Sequence, residues 1–130
     1  MCSLRTVFRA TALMLALVPT GGAWAGDRLS DDPLYLFATC TGRLSALMEH
    51  QWIVDGPASD RTRQDRDAML TLVEAAMRQG AEVQVMAWRI EAKVAHAALL
   101  AQSRSLDVAQ AKRAERRAGL LMRDCSAITS

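Results

Sequence analysis

Little in this chain belongs to β-structure or to cofactor attachment. β-branched residues are scattered and no run sustains period-2 alternation. Val83-Gln84-Val85 is too short for a strand, so a sheet is not expected. Aromatic residues make up 5% of the 130 positions, and none interleaves with the basic residues Lys112, Arg113, Arg116, Arg117 and Arg123. Base stacking therefore has no platform, and nucleic acid is not an expected partner. The Cys-x-x-Cys-His signature is missing, which excludes covalent haem attachment, and the two histidines stand in no Glu-x-x-His or His-Glu-x-x-His spacing. No Gly-x-Ser-x-Gly turn is present to hold a nucleophile. The expectation is no cofactor, no metal site and no enzyme activity.

Long apolar runs are lacking as well. The longest, Ala10 to Val18, falls well short of the roughly 20 residues that span a bilayer. It follows Arg5 and Arg9 and precedes Ala23-Trp24-Ala25, with small residues where a signal peptidase reads. Residues 1–25 are thus expected to be a cleavable export signal, and 26–130 a single domain in the periplasm or secreted, with no membrane span. Arg5 and Arg9 would leave with the signal, bringing 16 basic side chains down to the number of acids, 14. The overall positive charge then gives no argument for an anionic partner.

The remainder of the chain is patterned for helices. Asp31, Asp32 and Pro33 form a helix start, and Phe37, Cys40, Leu44, Leu47 and Met48 share one face of that first helix. Asp55-Gly56-Pro57 breaks the chain, with Ser59 or Asp60 as the next cap. Arg61 with Asp65 and Arg63 with Asp67 are spaced to pair along a second helix, whose stripe is Met69, Leu70, Val73, Ala76 and Met77. Gly80 is either a turn or a weak point in one long helix. The third segment carries two stripes, one from Val83 through Ile90 and Val94 to Ala101, the other Trp88, Ala92, Ala95 and Leu99. That pattern suits an interior helix with neighbours on both sides, the least exposed of the set. A last helix runs from about Leu106 to Ala127 after a cap at Ser105, with Ala111, Ala114, Ala118, Leu121, Met122 and Cys125 inward.

Four helices with short links make an all-α, antiparallel up-and-down four-helix bundle, which sets the start of the first helix beside the end of the last. Cys40 and Cys125 lie at those two ends, and an exported chain would oxidise them to one disulfide joining the first and last helices. Loop entropy assigns such a bridge about 4 to 5 kcal/mol. An acidic first third and a basic last helix should attract one another weakly.

The segment Cys40-Thr-Gly-Arg-Leu-Ser-Ala-Leu-Met-Glu-His50 resembles a stretch found in small uncharacterised exported proteins of alphaproteobacteria. The resemblance covers about a tenth of the chain and implies export in a bacterium; it brings no catalytic residues. Function is then expected to lie in protein contact, as an accessory subunit, adaptor, inhibitor or holdase for another envelope protein. The candidate surface is the polar side of the first helix, Thr39, Arg43, Glu49 and His50, where the interior Gly42 invites either close packing or a partner's approach. The alternative is a carrier holding haem, a lipid or a metal between helices, for which His50 and His96 would be ligands; both fall on outward sides in the helical projection.

Overall fold

Asp32 starts the first helix. Its carboxylate accepts a hydrogen bond from the Leu34 amide at 3.1 Å and Pro33 takes the first position, so α1 runs Pro33–Val54. The computed structural model describes residues 31–129; the expected signal, its cleavage point, Cys2 and the polar stretch 26–30 lie outside them. The other helices are α2 (Gly56–Ala76), α3 (Glu82–Gln102) and α4 (Val108–Thr129). These alternate in direction as an all-α, up-and-down four-helix bundle.

Only Asp55 separates α1 from α2. It donates its amide to the Gln51 carbonyl and accepts from the Ala58 amide through its carboxylate, ending one helix and capping the next. The longer loop and the cap at Ser59 or Asp60 are thereby corrected. Ser59 is instead buried, and its hydroxyl donates to the Met48 carbonyl at 2.9 Å, while Thr62 donates to Gln51 Oε1 at 2.6 Å. These bonds tie the hairpin across its narrow end. Gly80 is a turn: its φ of 80° is open to glycine and ends any continuation of α2 into α3. Before α4 the cap is Asp107, whose carboxylate accepts from the Ala109 and Gln110 amides, and Ser105 sits one step earlier as acceptor for the Asp107 amide.

The innermost helix is α1 rather than α3. Along its length α1 packs against α2 on one side and α3 on the other, while among the described residues the backbones of α2 and α3 make no such close approach. Contact with α3 is close enough that the Arg89 carbonyl and Lys93 amide fill the place a side chain at residue 42 would need, which is why glycine stands there. Two apolar clusters result. Leu34, Ala38, Val73 and Val85 form one, and Cys40, Leu44, Met69 and Cys125 the other, with Phe37 packed against both. Trp88 faces inward as its stripe predicts and meets Tyr35 edge to face, centroids 5.1 Å apart.

The Cys40–Cys125 disulfide is formed, with Cα atoms 5.4 Å apart across 85 positions of chain. It fastens α4 to α1, and Met122, Leu36 and Phe37 pack around it. Charge pairing takes other routes than those expected. Arg63 pairs with Asp60 one turn before it and Asp67 is taken by its neighbour Arg66, so among the described residues neither Arg61–Asp65 nor Arg63–Asp67 forms an ion pair. Among the described residues no ion pair joins the acids in and around α1 to the basic α4; Asp32 is held by both Nη atoms of Arg78, at 2.7 and 3.1 Å, and Glu49 by Lys93 at 2.6 Å. The Arg78 hydrogen bonds draw the Asp32 carboxyl below its ordinary range and raise Arg78 in turn.

Candidate interaction surface

The four residues expected to share one polar face divide between inside and outside. Thr39 is 5% exposed and gives its hydroxyl to the Leu36 carbonyl at 3.0 Å, so it has nothing to offer a partner. Arg43 is half-buried, with Nη1 directed at Cys125 Sγ at 3.7 Å. Burial draws its guanidinium below the usual arginine range, against the opposing pull of Tyr35 and Asp124. Glu49 remains outside but is taken up by Lys93 of α3. His50 is half-exposed beside Ile53, Ala97, Ala101 and Arg104, which line a shallow groove of about 190 Å³ between α1 and α3. The physical reason is the central place of α1: helices cover both its sides, and a helix buried on two faces has no free polar face to present.

His96 is the reverse case. Expected on the outer side, it is 1% exposed, and neither ring nitrogen has a hydrogen-bond partner among the described residues. Burial first, and then the positive charge of Arg43, hold its pKa below the ordinary histidine value. The sequence carried the sign of this, for His96 falls four positions after Ala92 on the inward Trp88 row. Among the described residues no cluster of three metal-ligating side chains forms around it or anywhere else.

The first stripe of α3 is left outside. Val83 is 83% exposed, Met86 51%, Ile90 54% and Val94 64%, and the line continues through exposed Ala97 and Ala101. All six lie within about 60° of one another's mean direction on the helix, and no charged residue interrupts them. The expectation that this stripe is core is corrected. Helix α3 has two apolar rows, and hydropathy weighs them alike; α1 and α4 between them cover only the row carrying Val85, Trp88 and His96.

At its Ala-rich end the stripe meets a second exposed group, Ile53 of α1, through the groove that also holds Ala97 and Ala101. Around the other side of α1, Trp52 stands 79% exposed over a groove of about 310 Å³ lined by Met48, Ser59, Arg63 and Arg66. Glu49 borders both grooves. No helix among the described residues is long and apolar enough to cross a membrane. No protein-family model, curated protein or solved structure matches the chain.

Proposed function

We propose that this chain works by contact, as a small exported helical protein whose α3 outer face docks against another protein surface. One observation carries the reading: about five turns of helix present an uninterrupted apolar row to solvent. Isolated exposed apolar residues are common on monomers, whereas contiguous patches mark interaction sites. The fold spends its other elements elsewhere, with α1 buried over most of its length before Trp52, α2 highly charged at its start and α4 basic on its outside. The disulfide is in keeping with export to an oxidising compartment, where an accessory subunit, adaptor, inhibitor or holdase of the envelope would act.

A photo-crosslinking side chain at position 94, introduced into the full-length chain in the producing cell, tests the reading. A protein adduct at 94 that is absent when the same group replaces Lys112 is the expected result. Equal labelling at both positions, or none at 94, would overturn it.

A further inference from the structure

The α3 stripe is graded. Large side chains, Val83, Met86 and Ile90, occupy its first half with half-buried Ala87 at their edge, and Ala97 and Ala101 its last. Accepting that this stripe is the contact face, we infer that its occupant is a second copy of the chain, with the two α3 helices antiparallel across a two-fold axis. Antiparallel pairing seats the large end of each helix on the alanine end of the other. Val83 then meets Ala101 of the second copy, Ile90 meets Ala97, and Val94 lies near the axis beside Ile90. Parallel pairing in register would set large against large and leave a gap between alanines. The face is self-complementary, as a two-fold interface requires.

Charge selects the same alignment independently. Glu82 opens α3 and Arg104 lies just past its end, both exposed and both at the margin of the stripe that borders Lys93. Neither has an ion-pair partner among the described residues. In an antiparallel pair, residues on the same margin face each other, so Glu82 of each copy lies opposite Arg104 of the other. That register is the one the side-chain sizes require: the position numbers of facing residues add to about the same total for Glu82 with Arg104, Ile90 with Ala97 and Val83 with Ala101. Lys93, which falls near the axis, has its charge held by Glu49 of its own chain, and this lessens repulsion between the two lysines. Parallel pairing would set opposite margins against each other and separate Glu82 from Arg104 by the length of the helix, so the two charges could not pair. Ile53 and the shallow α1/α3 groove border the alanine end and extend the contact beyond the helix pair.

Sedimentation equilibrium on the purified full-length chain tests the inference. The expected species is a dimer, and Ile90→Glu should raise its dissociation constant by at least about 100-fold while the helical signal is unchanged. Glu82→Arg and Arg104→Glu should each weaken it by about 3- to 10-fold, and the two together should restore it to within about 2-fold of the parent. A photo-crosslinker at position 90 should join residues 94–101 of another copy. A chain monomeric across the accessible concentration range, a dimer indifferent to Ile90→Glu, or crosslinks from position 90 into residues 1–30 would each overturn self-association. A monomer that still gives a heterologous adduct at position 94 in cells sinks the second copy and leaves the contact reading standing; a monomer with no such adduct sinks both.

Discussion

The Arg89 carbonyl of α3 occupies the place that a side chain on Gly42 of α1 would need. Two parallel helices therefore meet there backbone to backbone, and the glycine is a packing residue. Gly42→Ala would gain about 1 kcal/mol in helix propensity. It would also force two rigid backbones apart, and overpacking of this kind costs about 1 to 3 kcal/mol or more. The expected net result is a loss of up to about 2 kcal/mol in a denaturant melt. A gain in stability would show that α3 can shift freely on α1.

The sequence marked Gly42 as unusual but left open which kind of neighbour it served, and that ambiguity runs through the rest. Helix existence was legible because caps and breakers are local: Asp32, Pro33, Gly80 and the Asp55-Gly56-Pro57 step act within a few residues. The cysteine pairing was legible because export and an even count constrain it without knowledge of packing. Which apolar row is filled was not. A row is buried only if another element reaches it, and the two rows of α3 differ in that respect while sharing their hydropathy. The same holds for Thr39 and Ala46, whose side of α1 reads as solvent-facing until α3 is laid over it.

Arg43 and Glu49 now part company. Glu49 and Lys93 are each about half exposed, and such a pair contributes about 0 to 1 kcal/mol, so Glu49→Ala should change stability by about 0.5 kcal/mol or less. Arg43 is half-buried against the disulfide, its stem packed among helices, and Arg43→Ala should cost about 1 to 2 kcal/mol through lost packing. Thermal melts of the two variants check this. Equal effects would return Arg43 to the surface.

The Cys40–Cys125 bridge closes a loop of 85 positions. Reduction should add two alkylation sites by intact mass. Replacing both cysteines with Ala should lower stability by up to about 4 kcal/mol while α1, α2 and α3 keep their packing, because the bridge acts chiefly on α4. Two reactive thiols before reduction, beyond any contributed by Cys2, would contradict the bridge.

His96 sets a pH dependence whose sign can be worked out. Its folded-state pKa lies below the ordinary value, while in the unfolded chain it titrates near about 6.5. Above that pH both states are neutral at this site and it contributes no slope. As the pH falls below about 6.5, the unfolded chain takes up a proton that the folded chain refuses, so stability declines. The decline ends once the lowered folded value is passed. Asp32 acts in a separate and more acidic window: its Arg78 pair is intact above the ordinary aspartate value and is lost as pH falls through the depressed one. His96→Leu should remove the upper decline and leave the lower one, and at pH 7 it should be neutral or stabilising, since it replaces two unpaired buried nitrogens. Chemical melts at pH 7 and pH 5 decide the matter; a parent as stable at the lower pH would count against it.

Val83 and Val85 give the most direct comparison of the two faces of α3, being the same residue two positions apart on one helix. Val85 is 3% exposed within the Leu34 cluster, and Val83 is 83% exposed on the stripe. Val85→Ala removes buried methyl groups and leaves a cavity, which should cost about 2 kcal/mol. Val83→Ala in an isolated monomer exposes nothing new and should change stability by about 0.5 kcal/mol or less. A partner on the stripe alters only the second number, because association stabilises the folded chain in proportion to the logarithm of concentration. The parent's melting temperature should therefore rise with protein concentration, and Val83→Ala should reduce that rise, whereas Val85→Ala lowers the whole curve. If both valines behave alike in dilute solution, the division of α3 into an inner and an outer face is wrong.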